Sequence, residues 1–103
     1  MLENLWLIST GLSRRFPEGE EPFQMMTRLL EECGELAEQV NHFEGSGVKR
    51  AKLGEPSKAK MAKEVQNVLT CALRIAQHYE LETELEAAIA ASCQRLRNGG
   101  YLD

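Results

Sequence analysis

Between Phe23 and Phe43 apolar side chains recur at steps of three and four without a break: Phe23, Met26, Leu29, Leu30, Cys33, Leu36, Ala37, Val40 and Phe43. That step is the repeat of one helix face, so the segment predicts a long amphipathic helix. Pro22 suits its first turn, and Gly45 and Gly47 close it. A chain that must bury one face of such a helix needs further helices to pack against it.

Three more helices are expected. The first covers Leu2 to Arg15, with Leu5, Trp6, Ile8 and Leu12 on its apolar side, and stops at Phe16-Pro17-Glu18-Gly19. After a polar loop over 46–56, a third runs from about Ser57 to Tyr79, its core side formed by Met61, Val65, Val68, Leu69, Ala72, Ile75, Ala76 and Tyr79. The fourth is read from Thr83, with Glu86 completing a capping box, and ends at Gly99-Gly100. Of the acidic residues fifteen are Glu, and the single Asp is the last residue, Asp103. Glu is at ease inside helices, whereas Asp competes with the backbone and prefers caps and turns. The expectation is one all-α domain over residues 1–103, bundle-like and completed by self-assembly, because its apolar stripes exceed what one thin bundle can hide.

Charge excludes some roles. A net charge of −4 argues against nonspecific nucleic-acid binding. One stretch departs from that balance: Lys49, Arg50, Lys52, Lys58, Lys60 and Lys63 form either a solvated loop and helix start or a set of cations that closes over phosphates. Cys33, Cys71 and Cys93 lack CxxC spacing and are odd in number, which speaks against a disulfide framework or a zinc site. No long apolar run or signal pattern is present, so a cytoplasmic protein with no membrane partner is expected.

The acidic residues carry the chemistry. A helix turns about 100° per residue, which aligns Arg28, Glu32, Glu35, Gln39 and His42 along one edge of the second helix. Lys60, Glu64, Asn67, Cys71, Arg74 and His78 form a matching line on the third. Antiparallel packing would let the two lines meet and bring four hard oxygen donors together, as helix bundles do for Mg²⁺ or Mn²⁺. Adjacent acids on a helix are also common on solvated faces. Gly34, inside the second helix, costs about 1 kcal/mol against Ala and marks a point where something approaches the backbone closely.

Glu31-Glu32-Cys33-Gly34-Glu35 followed by Glu64-Val65-Gln66-Asn67 resembles the EExxE and ExxD motifs of the MazG-like all-α nucleoside triphosphate pyrophosphohydrolases. The likeness covers about Met25 to Ala76, with an echo at Arg95 to Tyr101. It implies metal-dependent cleavage of a nucleoside triphosphate to the monophosphate and pyrophosphate, in an assembly of two or four copies. By position Glu32, Glu35, Glu64 and Asn67 would hold Mg²⁺ or Mn²⁺, with Glu31 beside them as an aid to the attacking water. Asn67 stands where relatives have Asp, so the site has one negative charge fewer. The alternative is therefore a catalytically degenerate module that binds nucleotides or serves only in assembly.

Lys60 and Arg74 flank the second motif and are candidates for substrate phosphates, with salt bridging to Glu as the other reading. Arg95 and Asn98 are candidates for the triphosphate tail, although a basic helix C-terminus needs no ligand to explain it. Trp6 and Phe16 read either as base-stacking platforms or as core and interface residues.

Overall fold

A computed structural model describes residues 2–19, 21–45 and 54–103. Among them are four α-helices and no strand: α1 (Leu2–Arg15), α2 (Pro22–Phe43), α3 (Lys58–His78) and α4 (Glu82–Asn98). A 3-10 turn, Pro17–Gly19, joins α1 to the approach of α2. Glu21 caps α2 by accepting from the Gln24 amide at 3.0 Å, ahead of Pro22, whose missing N–H costs nothing in a first turn. Ser57 caps α3 in the same manner, accepting from the Lys60 amide at 3.3 Å.

α3 lies at the centre, packed most extensively against α2 and next against α1. α2 and α3 run antiparallel. At one end buried His42 donates from Nε2 to the Gly54 carbonyl, 2.7 Å away, at the approach to α3. At the other, Phe16 and Arg28 lie beside Cys71 and Arg74. Between α1 and α3 the contact is polar. Ser9, fully buried, donates to Gln77 Oε1 at 2.5 Å, and Gln77 Nε2 donates to Thr10 Oγ1 at 3.1 Å. Satisfying these groups matters because an unpaired polar atom in this contact would cost about 1–3 kcal/mol.

The turn from α3 to α4 uses a Schellman arrangement, with Leu81 N–H on the Ala76 carbonyl (2.8 Å) and Glu80 N–H on that of Gln77 (3.1 Å). Such a turn needs a left-handed residue, and here it is Glu80, at φ 56°. The end of α4 repeats the pattern with Gly100, at φ 82°, which meets no steric penalty there. Glu80→Gly is accordingly expected to stabilise the fold by about 1 kcal/mol in denaturant unfolding. The same turn overrides the capping box expected at Thr83. Leu81 already supplies the first helical carbonyl, to Leu85 N–H at 2.8 Å, and α4 begins at Glu82 with no side-chain cap. Glu86 instead accepts from Trp6 Nε1 at 3.3 Å.

The core is smaller than the apolar stripes suggest. Met25, Leu73 and Ala76 are its buried apolar residues among those described. Phe23, Met26, Leu30, Val40, Val65 and Leu69, expected inside, are exposed, Phe23 to 82% and Leu30 to 65%. The physical reason is that α2 has two apolar faces. Met25, Leu29, Leu36 and Phe43 turn inward, while Phe23, Met26, Leu30, Cys33, Ala37 and Val40 form a second seam at alternating steps of three and four. α3 adds Ala62, Val65, Leu69 and Ala72 in the same rhythm, with Tyr79 exposed two turns further on. α4 packs only lightly on α3 and leaves most of its length exposed. The radius of gyration, 16.7 Å, is well above the roughly 13 Å of a compact domain of this length. No described helix is long and apolar enough to cross a membrane.

Candidate metal centre and adjoining cleft

Antiparallel packing of α2 on α3 brings Glu32, Glu35 and Glu64 together. One carboxylate oxygen from each lies within 4.8 Å of the others. Glu32 and Glu35 share a face because they are three residues apart, and Glu64 reaches the same space from the opposing helix. Glu32 and Glu64 are half-buried, and each has an Oε2 atom removed from solvent with no hydrogen-bond partner. Buried acceptors without donors are costly. A hard dication would satisfy both and neutralise the crowded charge, so these residues fit Mg²⁺ or Mn²⁺.

The electrostatics agree with that fit. Burial, reinforced by the Glu64 carboxyl against it and the charge of Glu35, raises the Glu32 pKa above the ordinary carboxylate value of 4.5. Asn67 lies one turn beyond Glu64 on α3 and is partly buried. As a neutral amide it offers one oxygen to a cation, while its NH₂ needs an acceptor.

Beside the cluster opens a cleft of about 630 Å³ between the 16–19 turn, the first half of α2 and the last half of α3. Glu31 is exposed on its wall, together with Arg28 and Arg74. Cys71 joins cleft to cluster. Its thiol pKa is raised by burial first and then by the nearby Glu32 charge, against the opposing pull of Arg28 and Arg74. Gly19 lies over the Arg74 guanidinium, where an added Cβ would stand 3.8 Å from Nη2. Phe16 and Phe23 border the mouth, 49% and 82% exposed.

Other expected site residues fall elsewhere. Lys60 is exposed in the first turn of α3, one turn before Glu64. Arg95 and Asn98 sit on α4 in local bonds: Arg95 Nη2 donates to Ser92 Oγ at 2.9 Å, and Asn98 Oδ1 accepts from Gln94 at 2.8 Å. Among the described residues α4 makes no extensive contact with α2, and neither Arg95 nor Asn98 belongs to the carboxylate cluster or the cleft lining. A Cβ at Gly34 would meet nothing within 4 Å, so the close approach expected there is absent within the described chain. Of the loop cations Lys49, Arg50 and Lys52 lie outside the described residues. Trp6 bonds to α4 and lies away from the cleft. Glu18 and Gln24 carry no site signal in the sequence and Phe23 reads there as core, since only the folding back of the turn makes them cleft residues.

A family model described as "MazG nucleotide pyrophosphohydrolase domain" matches residues 20–98. The "Uncharacterized protein YpjD" of Bacillus subtilis (strain 168) is 43% identical over 58 residues, 55% of this chain and 52% of that protein. The chain thus matches over about half the length of this curated relative. No solved structure matches it.

Proposed function

Because the chain belongs to the MazG nucleotide pyrophosphohydrolase domain family, we propose that it hydrolyses a nucleoside triphosphate to the monophosphate and pyrophosphate with Mg²⁺ or Mn²⁺. The observation that carries this reading is the convergence of Glu32, Glu35 and Glu64, two of them with buried, unsatisfied oxygens. Those three carboxylates and the Asn67 amide oxygen would hold the metal. When bound, it would neutralise phosphate charge and lower the pKa of a coordinated water. Glu31, exposed at the cleft wall, would orient the attacking water, and Lys60 would meet phosphate oxygens. Arg28 and Arg74, both on the cleft wall, would meet the nucleotide there. The three free thiols accord with a reducing, cytoplasmic setting.

The test is pyrophosphate release from a panel of NTPs and dNTPs with each metal. Release that needs the metal is the expected result. Its absence with every nucleotide would leave a degenerate binding or assembly module as the better account, with Asn67 as its mark. Asn67→Asp is expected to tighten metal binding about tenfold by adding a charged ligand. It should lower metal-free stability by only a few tenths of a kcal/mol, through repulsion from Glu64 three residues away.

The raised Glu32 pKa sets a pH dependence. Folding holds this proton more tightly than the unfolded chain does. The stabilising contribution is therefore full below the ordinary carboxylate value and is lost as pH rises through the folded pKa. Metal competes for the same oxygen, so the gain in Tm on adding Mn²⁺ should grow from about pH 4.5 to neutrality. A gain independent of pH would count against Glu32 as a ligand.

The exposed seams on α2 and α3 support assembly into a dimer or tetramer. Alternating steps of three and four are the spacing of knobs-into-holes helix packing. An apolar surface of this extent is unusual on a monomer.

A further inference from the structure

We propose that the cleft beside the carboxylate cluster selects guanine and related 6-oxopurines, with Arg28 and Arg74 reading the base edge; this rests on the hydrolase reading above. The cleft has a mixed lining. Two guanidinium groups stand on its walls together with the carboxylates of Glu18 and Glu31. With Glu31 taken up by the attacking water in the reading above, the Glu18 carboxylate is left beside the two guanidinium groups. A base that presents adjacent acceptors on one edge and donors on another matches such a lining.

Guanine does so. Its O6 and N7 form a pair of neighbouring acceptors that fits the guanidinium fork, while N1–H and the 2-amino group donate to a carboxylate such as Glu18. Adenine puts its N6 amino group, a donor, where O6 would be and opposes the fork. Pyrimidines lack N7. The aromatic rings of Phe16 and Phe23 at the mouth supply stacking surface, and a volume of about 630 Å³ admits a purine nucleoside. The position is suitable as well. Arg28 is one turn ahead of Glu32 on the same face of α2, and Cys71 feels both the Arg28 and the Glu32 charge. A nucleotide whose base occupies the cleft thus has its phosphates directed toward the carboxylates.

The experiment compares kcat/KM for GTP, ITP, 7-deaza-GTP, ATP, CTP and UTP in the natural chain, Arg28→Lys and Arg74→Lys. Calorimetric binding of GMP and AMP without metal runs alongside. Lysine keeps the charge and loses the fork. The expected result is a preference for GTP and ITP over the other natural bases, and a loss of about tenfold or more when N7 is removed. At least one Lys variant should lose a similar factor on GTP while ATP turnover is kept, and bind GMP no better than AMP. Equal losses on all nucleotides would assign the arginines to phosphate and overturn the proposal, as would faster turnover of a pyrimidine. If no nucleotide is turned over, the hydrolase reading fails by itself. Tighter binding of GMP than AMP, abolished by Lys, would then still support the base site, and equal binding would overturn it.

Discussion

Glu64→Gln is expected to lower pyrophosphate release at least about a hundredfold while leaving the metal-free fold as stable as before or more so. Glu64 is the one carboxylate of the cluster supplied by α3. Its amide replacement keeps shape but removes a charge that a hard dication needs. The same charge crowds Glu32 in the metal-free protein, where burial already raises the Glu32 pKa. Removing it relieves that crowding, so thermal unfolding without metal should shift upward or stay in place. The upward shift that Mn²⁺ produces in the natural chain should be lost. This pairing separates a metal site from a structural acid. A residue that merely supported the helix pair would lower stability and activity together. Activity retained by Glu64→Gln would remove the cluster from the reaction.

The second large effect concerns the outer seams. If the seams pair copies as proposed, Leu30→Glu combined with Leu69→Glu is expected to leave a monomer in light scattering, with a marked fall in Tm. Leu30 is 65% exposed and Leu69 46% exposed in the single chain. A monomeric protein would tolerate two such charges on its surface, within about 0.5 kcal/mol each. In an assembled protein each Glu would be buried against a partner's apolar side chains, an environment that strongly disfavours a charge. Unchanged mass and stability would show that these seams stay in water. The outcome also bears on α4, because a second copy packed on these seams would be one way to bring Arg95 and Asn98 near a carboxylate cluster.

Much of the fold is legible from local rules. The extents of α1, α2 and α3 follow from apolar periodicity and from Pro22, Ser57 and Gly45 at their ends, each acting over one turn. At the start of α4 a neighbouring turn takes priority: Glu80 in a left-handed conformation starts the helix before Thr83 can cap it. The inward face of α2 was less legible. Apolar residues at 23, 26, 30, 33, 37 and 40 look like core in one dimension, and only packing against α3 shows that a second stripe does the burying.

The chain's sequence by itself determined the four helices, the pairing of Glu32 with Glu35 and of Glu64 with Asn67 on single faces, and the family to which they belong. These are short-range consequences of helical pitch and residue type. The meeting of Glu64 with the α2 carboxylates, the cleft shaped by the 16–19 turn, and the distance of α4 from that site were decided by tertiary structure. They depend on how rigid helices with more than one apolar face choose among packing partners. That choice is set by the total surface buried between residues far apart in the chain, which no local spacing encodes.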